Sequence, residues 1–332
     1  MLARLFGLLV LAGSLVVGWA WMEYREFLQT PLKVAGGSVV YDVPAGQSFG
    51  AITRELEQAG LVTNARYLQW YGRYRGLASQ VKAGEYRLSD GMTADELLAL
   101  LVSGRSISYS LTLLEGWNIR QVRAAVAGHE ALRQTLDGVD NDALMERLGR
   151  PGLHPEGRFF PDTYRFDRGT TDVEFLQRAM RTMDEELAQA WQARVEGIPL
   201  QSAEEALILA SIIEKETGQA SERPQIAGVF SRRLQKGMKL QTDPTVIYGM
   251  GEQFDGNIRR RDLRQDTPYN TYVHAGLPPT PICMPGREAL RAAVDPEPGN
   301  SLYFVARGDG SHAFSATLKE HNAAVRKYQL KQ

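Results

Sequence analysis

The 332-residue chain holds one cysteine, Cys283, so no internal disulfide can form and stability must come from packing. Cys283 sits in Pro281-Ile-Cys-Met-Pro285 without a partner, which reads as an inert thiol rather than a nucleophile. Its distance from the N-terminus also excludes a lipid-modified N-terminal cysteine. An excess of one charge is lacking too: 38 Lys and Arg against 39 Asp and Glu leave a net charge of −1. Nothing there points to nucleic acid. The five histidines, His129, His154, His274, His312 and His321, show no short spacing such as His-x-x-x-His, so no metal site is expected. Phosphate-binding glycine motifs are missing, and Gly249-Met-Gly251 lacks the flanking strand and helix and reads as a turn. No cofactor is implied.

One long apolar run is present. Leu5 to Met22 carries no charge and is bounded by Arg4 and by Glu23, Arg25 and Glu26. That length just spans a bilayer as a helix. Trp19, Trp21 and Tyr24 cluster at its far end like an interfacial aromatic belt. Arg4 and the α-amino group favour a cytoplasmic N-terminus (residues 1–4) and a body beyond the membrane. A cleaved signal peptide is the competing reading, but no small-x-small site follows the run. The expectation is an uncleaved single-pass helix over residues 5–22, then a stem over 23–37.

Residues 38–105 alternate strand, helix, helix, strand, helix. Ser38 to Pro44 alternates as a strand. Ser48 caps a helix from Phe49 to Ala59, stopped by Gly60. A second helix over Asn64–Arg75 carries Tyr67, Trp70, Tyr71 and Tyr74. Lys82–Leu88 is a strand, and Thr93 with Glu96 forms a capping box for the next helix. Val43-Pro-Ala-Gly-Gln-Ser-Phe-Gly-Ala-Ile52 resembles the opening of a LysM-like glycan-binding unit, although short strand–helix units share that turn.

The larger part, residues 106–332, is also mixed. A strand over Ile107–Leu113 precedes a polar segment, Gly128–Arg150, expected to be helical. The loop Pro151–Tyr164 packs prolines, glycines and aromatics together. Glu156, Asp162 and Tyr164 make it a candidate sugar-facing surface, or else a packed connection. Thr171–Gln192 is a long amphipathic helix, and Ser202 opens another. Gly308-Asp-Gly310 between two alternating runs marks a hairpin before a final helix over Leu318–Leu330.

The helix that Ser202 opens holds the candidate for chemistry. In Leu207-Ile-Leu-Ala-Ser-Ile-Ile-Glu-Lys-Glu-Thr217, Glu214 sits directly against aliphatic residues. A carboxyl so placed is poorly solvated as an anion, which suits a proton donor near neutral pH. Glycosidic cleavage often asks for such a group; a glutamate at an apolar–polar border is the bland alternative. Glu216 points to another helix face, Glu222 reads as a first-turn partner of the following helix dipole, and Asp243 is placed to orient a loop or bond a sugar. Thr242, Tyr248, Tyr269 and Asn270 are candidate substrate partners, each with a structural alternative. Asn270, for one, can bond the backbone of its own turn.

Several motifs in order carry a wider likeness: Pro155-Glu-Gly-x-Phe-x-Pro-Asp-Thr-Tyr164, Ala210-Ser-Ile-Ile-Glu-Lys-Glu-Thr217, Gln241-Thr-Asp-Pro-Thr-Val-Ile-Tyr-Gly249, Thr267-Pro-Tyr-Asn-Thr-Tyr272, Gly276-Leu-Pro-Pro279, Leu302-Tyr-Phe-Val305 and His321-Asn322. Over nearly its whole length the chain resembles the YceG-like endolytic murein lytic transglycosylases. The resemblance implies an α+β fold with a transmembrane helix, a LysM-like module and a larger catalytic domain, and matches Glu214 to the catalytic glutamate. It implies an inner-membrane enzyme with its body in the periplasm. That enzyme cuts the MurNAc-β-1,4-GlcNAc bond of nascent peptidoglycan to leave 1,6-anhydroMurNAc ends, with peptidoglycan synthases as partners in the same membrane. A non-catalytic peptidoglycan-binding scaffold and a hydrolytic muramidase or glucosaminidase are the alternatives.

Overall fold

The computed structural model describes residues 2–330. It divides into two compact units: residues up to 109 with 166–169, and residues 110–165 with 170 onward.

The first unit begins with α1 (Leu2–Gln29). Within it, Phe6–Gln29 is long and apolar enough to cross a membrane, and none of its most apolar window is buried by protein. Then follow β1 (Ser38–Val43), α2 (Phe49–Gln58), α3 (Ala65–Tyr74), β2 (Gly84–Ser89) and α4 (Ala94–Ser103). The strands pair antiparallel, from Ser38 opposite Ser89 to Val43 opposite Gly84. Ser48 and Asn64 cap α2 and α3 through their side chains, and Thr93 with Glu96 forms the full reciprocal box on α4. Leu56, Leu68, Tyr86, Leu88, Leu97, Leu98 and Leu101 form the centre of this core, with Phe27, Leu32 and Val34 closing one side. Gly72 lets α3 approach α2, since a Cβ there would lie 2.6 Å from the Phe49 ring.

In the second unit, β3 (Ser108–Thr112) leads to α5 (Ile119–Ala127), α6 (Asn141–Arg147) and β4 (Thr163–Asp167). β3 and β4 form a two-stranded ribbon, and the boundary between the units falls within both strands. Next come α7 (Asp172–Gln192), α8 (Ala203–Glu216), α9 (Arg223–Gln235), α10 (Asp243–Met250) and α11 (Arg287–Val294). β5 (Tyr303–Ala306) and β6 (His312–Ser315) pair as the antiparallel hairpin the Gly-Asp-Gly turn predicts, and α12 (Leu318–Tyr328) follows. α8 is the hub: Ala206 to Ile213 are all buried, and α7, α9, α10 and α11 pack around it. A helix apolar on every side belongs in such a core.

The expectation of a helical 128–150 needs correction. Only Asn141–Arg147 is helical. The N–H groups of Thr135 and Leu136 donate instead to the Asp172 carboxylate at 2.7 and 2.8 Å, and Arg133 bridges to Thr171. Backbone groups satisfied that way do not need a helix.

Candidate active site

The last turn of α8 offers Glu214, Lys215 and Glu216. Acidic side chains there face the negative end of the helix dipole, so helix stability does not call for them. At about 100° per residue, Glu214 and Glu216 leave the helix in nearly opposite directions, and their surroundings differ accordingly.

Glu214 is held in a clasp. Its Oε1 accepts from Arg223 Nη2 at 3.0 Å and its Oε2 from the Gly286 N–H at 2.9 Å. The Glu214 side chain is 5 % exposed and Arg223 10 %. Glu115 lies 3.7 Å from the same guanidinium and covers Gly286 so closely that a Cβ there would lie 1.9 Å from its carboxylate. The apolar run therefore does not leave this carboxylate bare; α9 and the turn before α11 supply it with donors.

Glu216 faces a cavity of about 390 Å³ lined by Arg233, Asp243, Tyr272, Tyr303, His312 and His321, among others. Thr242 Oγ1 donates to its Oε1. Loss of solvation pushes the Glu216 carboxyl up to about 7, and the Asp243 charge adds to this; the Thr242 bond, His312 and Arg233 oppose it. Just before Thr242, Gln241 has φ +50°, the one positive value among the described non-glycine residues. Strain of that kind often marks a functional loop. Asp243 accepts from Tyr272 Oη at 2.6 Å. Arg233 is anchored to the carbonyls of Leu302 and Leu240, both at 2.7 Å, and His321 stacks on Tyr303 at 5.3 Å. Glu222 stands at the N-terminus of α9, where its charge suits the helix dipole, and it also bonds across the fold. It accepts the His312 N–H at 2.9 Å and lies 2.7 Å from Nδ1, tying β6 to the start of α9. A carboxylate only accepts, so that bond places the proton on Nδ1.

A second cavity, about 530 Å³, lies along α5 and α10. Glu156, fully buried in its wall, accepts from the Ile119 N–H and from Tyr248 Oη, both at 3.0 Å. Burial lifts this carboxyl too to about 7, against those two donors. Tyr248 and Tyr269 meet edge to face at 4.8 Å, and Lys215, Asn118, Arg120 and His154 are among the polar residues of the lining. α10 links the cavities: Asp243 faces the first, and Pro244, Ile247 and Tyr248 face the second.

The expected site residues thus fall into groups. Asp243 lines the Glu216 cavity, with Thr242 behind it on the carboxylate. Glu156, Tyr248 and Tyr269 line the other. Glu214 lines neither. Asn270 is buried, with its amide on the Asp262 and Gln265 carbonyls and the Tyr272 N–H. Tyr164 is buried with its hydroxyl on the Phe160 carbonyl at 2.8 Å, and Asp162 is exposed, capping the Thr163 N–H. Cys283 is buried, its thiol pushed well above the usual range by desolvation. The residues the sequence did not single out as a group are Arg233, Glu222, His312, Tyr272 and Tyr303. Tyr272 and Tyr303 fall inside the quoted motifs, but only the fold shows that they share a cavity.

Known proteins can be set beside this geometry. A relative named endolytic murein transglycosylase from Bacillus subtilis (strain 168) is 33 % identical over 95 % of this chain and 91 % of its own length. One of the same name from Streptococcus pneumoniae (serotype 2, strain D39) is 26 % identical over 94 % of this chain, which spans only 63 % of that longer relative. The crystal structure of a yceG-like protein from Listeria monocytogenes matches with a TM-score of 0.55 and 32 % identity, covering 87 % of this chain and 99 % of the other. The YceG-like family model matches residues 41–327. Such coverage identifies the chain as a member of the YceG-like family.

Proposed function

We propose that the protein is a membrane-anchored endolytic peptidoglycan lytic transglycosylase that cleaves the MurNAc-β-1,4-GlcNAc bond of nascent strands. The single observation that carries the mechanism is the Glu216 carboxyl, lifted to about 7 beside an open cavity rich in aromatic and polar side chains. Glu216 is the proton donor in this reading. Its O–H bond breaks and the proton passes to the glycosidic oxygen as the C1–O4 bond cleaves. The muramic C6 oxygen then bonds to C1, and its proton returns to Glu216. One carboxyl thus serves as acid and base, no water is consumed, and the product ends in a 1,6-anhydro sugar. A hydrolase needs a second carboxylate with a water held between the pair, or one poised as nucleophile. Asp243 lines the same cavity and is the candidate for that second carboxylate, with one of its oxygens taken by Tyr272.

The family motif that suggested Glu214 spans both glutamates. What favours Glu216 is access: Glu214 has both oxygens bonded and stands away from both cavities. Supporting the anchor are the apolar length of α1 and the tryptophans at its end, which fit an inner-membrane span with the N-terminus inside and the body in the periplasm. Supporting a LysM-like role for the first unit is its strand–helix–helix–strand order with antiparallel strands.

Mass spectrometry of products from uncrosslinked strands tests the reading. Wild type and Glu214→Gln are expected to give internal fragments with 1,6-anhydroMurNAc ends, and Glu216→Gln none. Reducing ends would make it a hydrolase. Loss of product with Glu214→Gln alone, the protein remaining folded, would return the acid to Glu214. Binding without product in wild type would leave a scaffold.

A further inference from the structure

Rings run without a break from the end of the apolar helix onto α3. Trp21 and Tyr24 lie 6.0 Å apart, Tyr24 and Tyr67 5.8 Å, and Tyr67 and Trp70 5.8 Å. Tyr67 also meets Phe27 at 5.8 Å and donates its hydroxyl to Glu23 at 3.1 Å, so α3 is pinned to this stretch of α1. Tyr74, two turns further along, is close enough to Tyr24 to interact electrostatically with it.

α3 has two faces. Ala65, Leu68 and Gly72 are buried in the core. Arg66, Trp70, Arg73 and Tyr74 share the other side and are all exposed, Trp70 at 59 % and Tyr74 at 86 %. Large rings left in water are costly unless something covers them. Aromatic rings interleaved with arginines are the composition that settles between headgroups and acyl chains, the rings at the interface and the guanidiniums on anionic lipid.

Height decides whether lipid can reach this face. Tyr24 is two residues past Met22, the last of the uncharged run, which is about 3 Å of helix rise. The headgroup layer is roughly 6 Å deep on each side of the hydrocarbon core. The rings gathered at Tyr24 therefore fall inside that layer when α1 spans the bilayer.

We propose that the exposed face of α3 lies in the headgroup layer of the membrane that holds α1, with Trp70 and Tyr74 as interfacial anchors and Arg66 and Arg73 on anionic phosphates. The inference rests on the reading of α1 as a membrane span. It makes the first unit a body resting on the bilayer rather than one tethered above it.

Site-directed spin labelling of the full chain in phosphatidylcholine–phosphatidylglycerol vesicles tests it. Cys283 is buried and stays unlabelled. Nitroxides are placed singly at Val10→Cys, Tyr74→Cys and Arg87→Cys, and their collision rates with oxygen and with a water-soluble nickel chelate are compared. The expected result is hydrocarbon depth at 10, water at 87 and an intermediate, headgroup value at 74. If 74 matches 87 while 10 reads hydrocarbon, the surface proposal is overturned and the span stands. If 10 is itself aqueous, the span fails and the proposal fails with it.

Discussion

At the scale of single residues, two glutamates two positions apart on α8 sit in opposite settings, one in a buried ion pair and one raised beside a cavity. Glu214 and Arg223 are a buried pair, and removing one partner of such a pair leaves a charge uncompensated, at a cost of about 3–5 kcal/mol. Arg223→Ala is expected to lower stability by that amount in denaturant titration. Glu216 behaves in the opposite sense. Its folded carboxyl is raised from 4.5 to about 7, so the folded chain holds that proton more tightly than the unfolded chain. Stability from this group is therefore full below the unfolded value and is lost as pH climbs through the window from about 4.5 to 7. Glu216→Gln cannot ionise. It should match wild type at about pH 4 and exceed it by about 3 kcal/mol at pH 8, while cutting turnover by roughly 10²–10⁴-fold. Equal stabilities at both pH values would remove the ionisation argument. The helical period tells from the sequence that the two carboxylates diverge. It cannot tell which direction holds the cavity, because Thr242, His312 and His321 arrive from 26 to 105 residues away.

Among the elements, the readable ones carry their signals locally. Ser48 on α2, Thr93 with Glu96 on α4 and Ser202 on α8 cap helices where the side-chain pattern says they should. Thr93→Ala should cost about 1 kcal/mol. Gly72→Ala should cost about 1–3 kcal/mol, because the added methyl meets the Phe49 ring. Thermal melts of the full chain measure both. The segment 128–140 was not legible because its backbone partner, Asp172, belongs to a later helix. The tie between Glu222 and β6 is long-range in the same way. Glu222→Gln keeps an acceptor for both His312 N–H groups and should melt close to wild type, whereas Glu222→Ala leaves both donors unpaired and should cost about 1–3 kcal/mol in the same melts.

For the molecule as a whole, the question is what α1 contributes beyond location. An endolytic enzyme meets its bond wherever the strand passes the cavity, and nothing in the Glu216 site requires the membrane. In the proposed anchored form, holding enzyme and nascent strand on one bilayer replaces three-dimensional encounter with a local concentration in the millimolar range. Deleting residues 1–22 should thus leave turnover of soluble, uncrosslinked strands unchanged. Cleavage of lipid-linked strands in vesicles should fall by about 10²-fold at equal protein concentration. Comparing initial rates on the two substrates separates the effects. A parallel loss on soluble strands would mean that α1, through Tyr24 and Phe27 against Tyr67, also holds the first unit in its working form. An equal rate on both substrates would mean that the strand reaches the cavity without help from the anchor, and that chain length is set by something other than proximity.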